Sequence, residues 1–396
     1  MIQRPLYINK LLGFKDKQLI KIVTGIRRCG KSTLFEMYQE ELLKKGVFKQ
    51  QIQSINLEDP LYRDLINWEK LYDYINAHLV DDKMNYVFID EIQNVADFQK
   101  AADGLFIKKN VDLYLTGSNS NIQSGQWATL LSGRYVQIHV FPLSFKEYSS
   151  ALSSDNKFEK FKQYLENSSF PYVLNLNNDK KQIYDYLGGI YSTVVLKDVI
   201  ANKKIRDINR LESVIKFMTD NIGNISSIKK ISDTMVSEGL KILPVTIENY
   251  INALCDSYIL YKANRYDVKG KRLLKTLDKY YLVDIGLRYY LLGNTKTDKG
   301  RILENIIYLE LLRRGYNVYV GKNGDKEIDF IAESIDGTEY YQVAETVRDP
   351  LTLKRELSSL DLVRDHNPKF LLTQDFEPNT SHNGIKQINI IDWLLE

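Results

Sequence analysis

Cysteine is nearly absent: Cys29 and Cys255 are the only two in 396 residues. Two thiols cannot build a disulfide framework, which points to a reducing, cytoplasmic setting. Four histidines, His78, His139, His366 and His382, lie at no metal-ligand spacing, so a structural zinc site is not expected. No apolar run reaches the roughly eighteen residues that a membrane-spanning helix needs. The start, Met1-Ile2-Gln3-Arg4-Pro5, lacks the apolar core of a signal peptide. A strong charge of one sign is also missing. With 54 Lys+Arg against 51 Asp+Glu the net charge is +3, so any nucleic-acid surface must be local. Internal repeats and low-complexity linkers are not seen either. What remains, 44% hydrophobic and 27% charged, is the make-up of a soluble globular protein, and the length asks for two to four domains.

The most informative stretch is Gly25-Ile26-Arg27-Arg28-Cys29-Gly30-Lys31-Ser32-Thr33, which fits G-x-x-x-x-G-K-[ST]. Leu19 to Val23 before it reads as a buried strand. Leu34, Tyr38 and Leu42 after it recur at helical spacing, and Lys44-Lys45-Gly46 closes that helix. A strand, a glycine turn and a helix N-terminus aim backbone N–H groups and the positive end of a helix dipole at one point, which suits a polyphosphate. Lys31 would reach the outer phosphates of ATP, and the Ser32 hydroxyl would ligate Mg²⁺. Cys29, inside the loop, reads either as a thiol of lowered pKa or as a small packing side chain.

Tyr86-Val87-Phe88-Ile89-Asp90-Glu91 places two carboxylates at the C-terminal end of an apolar strand, where ligands bind in open α/β sheets. The chemistry asks for one carboxylate beside the metal, here Asp90, and one to orient or deprotonate a water, here Glu91. Gln53 to Leu57, Val111 to Asn119 and Tyr135 to Val140 read as further strands. A short helical stretch, Gln126 to Leu131, and Gly133-Arg134 precede the last of these.

From Phe141 onward helical spacing takes over, as in Phe158, Phe161 and Leu165, then Ile183, Tyr186 and Leu187. Leu211 to Met218, Ile228 to Val236 and Pro244 to Leu254 read as three helices. Two strand-like runs follow, Tyr258 to Tyr261 and Lys279 to Val283, joined by Lys269-Gly270-Lys271-Arg272. Three helices and a basic wing are the plan of a winged helix. Residues 203–279 hold fifteen Lys/Arg against nine Asp/Glu. That excess suggests DNA, with Lys269, Lys271 and Arg272 on phosphates and Thr246, Asn249 and Asn252 facing a groove. A packing or protein-contact role remains the alternative. The last hundred residues alternate as a helix (Gly300 to Arg314), three strands (Tyr316 to Val320, Glu327 to Ile331, Tyr340 to Ala344), a helix (Leu351 to Val363) and a strand (Lys369 to Leu372).

These motifs together resemble a family of bacterial and archaeal AAA-type P-loop ATPases. The carriers are Gly25 to Ser32, Ile89 to Glu91, Leu115 to Asn119, Ser132 to Arg134 and Pro142 to Phe145. The resemblance implies an α/β fold in four parts: a parallel-sheet ATPase core over 1–150, a helical lid over 151–205, a winged helix over 206–296, and a restriction-endonuclease-like domain over 297–396. It makes Asn119 a sensor of the γ-phosphate, with Ser118 or Thr116 as alternatives, and Arg134 an arginine finger that serves a neighbouring copy. In the last domain it implies a metal site of Glu304, Asp329 and Gln342, but the lysine expected two residues on is Ala344, which argues against cleavage. The expected activity is Mg²⁺-dependent ATP hydrolysis. DNA and further copies of the chain are candidate partners, and a membrane is not. Two other readings stay open, a nucleotide-gated switch with little turnover and an ATP-dependent nuclease.

Overall fold

The computed structural model describes residues 2–117, 131, 133–193, 199–200, 205, 207–274, 277–293, 299–376 and 380–396. The chain divides into two compact units, Met1–Pro142 and Leu143–Glu396.

The first unit is built on five strands: β1 (Ile20–Thr24), β2 (Ile52–Asn56), β3 (Asn85–Asp90), β4 (Val111–Gly117) and β5 (Tyr135–His139). All pair in parallel, in the order β2-β3-β4-β1-β5. β1 is enclosed by β4 and β5 and is buried along its whole length, which is why it reads as an apolar run rather than an alternation. Helices α1 (Pro5–Gly13), α2 (Lys31–Lys44), α3 (Trp68–Ala77) and α4 (Phe98–Phe106) complete the unit. On α2, Leu34, Tyr38 and Leu42 are fully buried, as their spacing predicts, each contributing about 1.5–3 kcal/mol of hydrophobic stabilisation. Gly46, in the left-handed region, ends that helix.

Lys21 of β1 is the exception to the apolar rule. Its ammonium is buried and donates to Asp112 of β4 and to the Lys17 carbonyl at 2.6 Å. Asp112 also accepts the Asp16 N–H at 2.9 Å and the Tyr114 hydroxyl at 2.8 Å, and Tyr114 meets the Tyr38 hydroxyl at 3.0 Å. Burial lowers the Lys21 pKa and raises that of Asp112, against their mutual attraction.

The second unit begins with α5 (Phe145–Ser150), capped by the reciprocal Ser144–Glu147 hydrogen bonds, then α6 (Lys157–Glu166) and α7 (Lys180–Ile190). Next come α8 (Ile208–Asp220), α9 (Ile228–Ser237) and α10 (Pro244–Asp256), then β6 (Leu260–Ala263), β7 (Arg265–Asp267), β8 (Arg272–Leu273), β9 (Lys279–Leu282) and α11 (Ile285–Leu292). The three helices and the antiparallel β6–β9 pair occur where the sequence places them. The hairpin between those strands has a further partner, because β7 pairs in parallel with β10 (Asn317–Asn323). The segment expected as a wing therefore extends the sheet expected as a separate domain. α11 packs on α6 and α7, and Asp284 at its start accepts the Ser169 N–H and hydroxyl, both at 2.6 Å.

The remaining elements are α12 (Lys299–Arg313), β11 (Lys326–Ser334), β12 (Gly337–Ala344), α13 (Pro350–Asp361), β13 (Lys369–Thr373), β14 (Thr380–His382), β15 (Ile385–Asn389) and α14 (Ile390–Leu395). Their sheet runs β14-β15-β13-β12-β11-β10-β7-β8.

Removing one partner of the buried Lys21–Asp112 pair strands the other charge. Asp112→Ala should lower unfolding stability by about 3–5 kcal/mol in a denaturant titration, and Lys21→Met/Asp112→Leu should recover most of it. An Asp112→Ala loss below about 1 kcal/mol would show that the pair is not a buried charge pair.

Candidate active site

β1 ends at Thr24 and the chain turns through Gly25–Gly30 into α2. A Cβ built on Gly25 would lie 2.1 Å from the Val140 carbonyl oxygen, so β5's continuation backs directly onto the loop and no side chain fits. Gly30, at φ +96°, precedes α2, and no side chain caps that helix. Its first-turn N–H groups are left for an outside acceptor. Lys31 is buried, with its ammonium donating to the Gly25 and Ile26 carbonyls at 3.1 and 3.2 Å. Ile26 is buried, Arg27 pairs with Glu58 at 3.4 Å, and Arg28 and Thr33 are exposed. Burial pushes the Cys29 thiol up, and the opposing pull of Lys31 and Arg4 is smaller. Cys29 is a packing thiol, and of its two readings the activated one does not hold.

The strand carboxylates meet the loop through hydroxyls. The Ser32 hydroxyl donates to Asp90 at 2.5 Å, and the Thr116 hydroxyl donates to the other oxygen of the same carboxylate. Thr116 also accepts the Glu91 N–H at 2.9 Å. Glu91 takes a left-handed backbone (φ 55°, ψ 49°), a conformation that costs a non-glycine residue energy unless its surroundings hold it. Its carboxylate accepts a hydrogen bond from the Gln93 amide. A hydroxyl and a carboxylate beside a glycine loop, a helix N-terminus without a side-chain cap and a lysine form a donor set that fits a triphosphate carrying a hard divalent cation.

Asn119, Ser118 and residues 126–130 lie outside the described residues. Arg134 is not near the loop in its own chain. It precedes β5, whose register pairs Ile20 with Tyr135, so it sits at the opposite end of the sheet from Lys31. Its guanidinium is half-exposed, 3.5 Å from Asp103 and over the Phe106 ring.

Residues 17–149 match a family model described as an AAA domain, and residues 158–298 match one described as a domain of unknown function. An uncharacterised protein of Haemophilus influenzae is 38% identical, over 100% of this chain and 99% of its own length. The chain belongs to this AAA-domain family. An uncharacterised protein of the archaeon Methanocaldococcus jannaschii is 30% identical over 79% of this chain and 71% of its own. Among solved structures, the Walker-type ATPase of Pyrococcus abyssi aligns with a TM-score of 0.51 at 15% identity, covering 74% of this chain and 96% of that one. At that identity the likeness is one of fold. No described helix of this AAA protein is long and apolar enough to cross a membrane.

The second set of candidate metal ligands in this AAA protein is split. Glu304 of α12 accepts Lys279 Nζ at 3.2 Å and the Tyr281 hydroxyl at 3.4 Å. Asp329 of β11 accepts the Val343 N–H at 2.8 Å. Gln342 touches Asp329 only through that residue's N–H, at 3.3 Å; its amide binds Glu356 at 2.9 Å and accepts from Ser359 at 3.1 Å, both on α13. Lys279, missed in the sequence, joins Glu304, and its ammonium also meets Glu327 at 2.8 Å. Burial works against that charge, yet Glu304, Asp329 and Glu327 hold it above the ordinary lysine range. Burial and Glu304 push Asp329 well above the carboxylate range, against Lys279. Among the described residues no group of three or more His, Cys, Asp or Glu is placed to hold a metal. The available signal for Lys279 was a lone charge opening the run Lys279-Tyr280-Tyr281-Leu282.

The candidate DNA contacts are on the surface. Lys269, Lys271 and Arg272 are exposed in the β7–β8 turn. Asn249 and Asn252 are exposed on α10 and Thr246 is half-buried, while Ile247, Tyr250, Ile251 and Leu254 form the inner face.

Thr116 holds Asp90 and the Glu91 backbone at once. Thr116→Val should destabilise the protein by about 1–3 kcal/mol by leaving a buried N–H without its acceptor, and Thr116→Ser should restore it. Equal melting curves for the Val and Ser variants would refute that role.

Proposed function

We propose that this AAA protein binds ATP with Mg²⁺ and hydrolyses it. The observation that supports the reading most directly is the Ser32–Asp90–Thr116 hydrogen-bond chain at the mouth of the loop, with Glu91 next to it. In this reading the loop amides and Lys31 hold the β- and γ-phosphates, and Ser32 and Asp90 hold the cation. The bound cation would supply charge neutralisation on the phosphoryl oxygens. Glu91 would orient a water and take its proton as the water's oxygen bonds to the γ-phosphorus and the bond from that phosphorus to the bridging oxygen breaks, releasing ADP and phosphate. Asn119 is proposed as the γ-phosphate sensor. Arg134, which is remote from Lys31 in its own chain, is proposed to complete the site of a second copy.

One observation favours a slower, switch-like cycle. The Gln93 amide engages a Glu91 carboxylate oxygen, which occupies a position that an attacking water would need. Lys31→Ala should abolish ATP binding, whereas Glu91→Gln should bind ATP but turn over about 100-fold more slowly. Gln93→Ala should raise turnover if the amide restrains the base. Wild-type hydrolysis by Lys31→Ala would remove the whole reading.

The second unit is proposed to read out nucleotide state by contacting DNA, through Lys269, Lys271 and Arg272 on the exposed turn and Thr246, Asn249 and Asn252 on α10. Cleavage forms no part of this proposal, because Lys279 already neutralises the Glu304 and Glu327 carboxylates and Gln342 is engaged by α13. Neutralising Lys269, Lys271 and Arg272 together should weaken duplex binding by about tenfold and reduce the salt slope by up to about three, measured by fluorescence anisotropy. Binding that is unchanged, in strength and in salt dependence, would exclude this surface.

A further inference from the structure

Arg4, directly before α1, has no local signal in the sequence, yet its side chain is only 3% exposed. One guanidinium nitrogen donates to the Cys29 carbonyl at 2.9 Å, inside the glycine loop. The other donates to the Phe141 carbonyl at 2.8 Å and, at 3.4 Å, to that of Pro142. The Tyr7 ring lies 4.5 Å from the guanidinium carbon, and its hydroxyl accepts the Phe141 N–H at 3.2 Å. Arg4 thus ties the loop to the strand extension that already backs onto Gly25.

The chemistry of the Cys29–Gly30 peptide gives this clamp a purpose. A trans peptide carries its C=O and N–H on opposite edges of one plane. With the Cys29 oxygen fixed to Arg4, the Gly30 N–H, which directly precedes α2, is turned away from Arg4. Gly30 itself does nothing to hold that orientation, because a residue without Cβ lets the preceding peptide rotate at little cost. Arg4 spends donors from both terminal nitrogens on backbone carbonyls. Its contribution is to keep one amide aimed at the phosphates.

We propose that Arg4 is a positioning residue for nucleotide binding: by anchoring the Cys29 carbonyl it presets the Gly30 N–H for the phosphates. The proposal rests on the ATP reading above, and the test separates the two. ATP titration and steady-state hydrolysis are measured on full-length wild type, Arg4→Met, Arg4→Lys and Lys31→Ala, with melting curves taken without nucleotide. Arg4→Met should raise Kd and KM for ATP about tenfold while kcat changes less than about threefold. Arg4→Lys, with one ammonium in place of a planar fork, should raise them about threefold. If Arg4→Met does not fold, the Arg4→Lys comparison decides. A lower melting temperature with wild-type KM in either folded variant would mean that Arg4 only braces the fold, and would overturn the proposal. Wild-type binding by Lys31→Ala would instead overturn the ATP reading and leave the loop clamp without a ligand to serve.

Discussion

Three hydroxyl- and carboxylate-bearing residues at the ends of three different elements meet in one line of hydrogen bonds. Ser32 opens α2, Asp90 closes β3 and Thr116 is near the end of β4. Because β4 lies between β3 and β1, this line fixes the relative height of neighbouring strand ends and the start of the helix. A loop that offers amides to a polyanion has a conflict built into it. Its donors must be ordered, yet they must not be satisfied by the protein. The fold resolves this from outside the loop, through the strand-end chain in front and through carbonyl contacts behind.

The rear contacts explain why the loop's glycines are not interchangeable with small residues. Gly25 is compressed against Val140, so its hydrogen is required by a neighbouring backbone. Gly30 is required for its left-handed dihedral. The Glu91 backbone carries a comparable strain without being glycine, and the Thr116 hydroxyl is the local compensation for it. Strain at a strand end next to a phosphate-type loop is where α/β proteins concentrate their chemistry.

Much of this was legible in the sequence because the relevant interactions are local or strongly periodic. Strands β1, β3 and β4 announce themselves as buried apolar runs, the edge strands β2 and β5 less so, and Gly25 to Thr33 and Asp90-Glu91 are contiguous motifs. What escaped depends on residues far apart in the chain. Arg4 meets carbonyls 25 and 137 positions away, and no periodicity encodes a side chain that binds backbone. The short β7–β8 hairpin looks like a free wing until β10, some fifty residues later, supplies its parallel partner. Gln342 sits at the expected strand position, but the pleat and α13 give its amide other partners. β14 and β15 went unassigned because Thr380–His382 and Ile385–Asn389 are short and largely polar, with little apolar pattern. Thr116 was visible as a strand-end polar residue, and its role rests on two hydrogen bonds that the sequence does not show.

Arg134 and Lys31 stand at opposite poles of the same sheet. A copy that lends Arg134 to a neighbour, as proposed, must therefore present its lower pole to that neighbour's upper one. When copies stack head to tail the contacts are heterologous: the two faces in each junction differ, so a joined pair still has one donor face and one acceptor face unspent. A pair of copies related by a twofold axis serves both sites at once only if the copies lie side by side and antiparallel. The angle between successive copies then decides whether the chain of contacts closes into a ring or continues as an open filament.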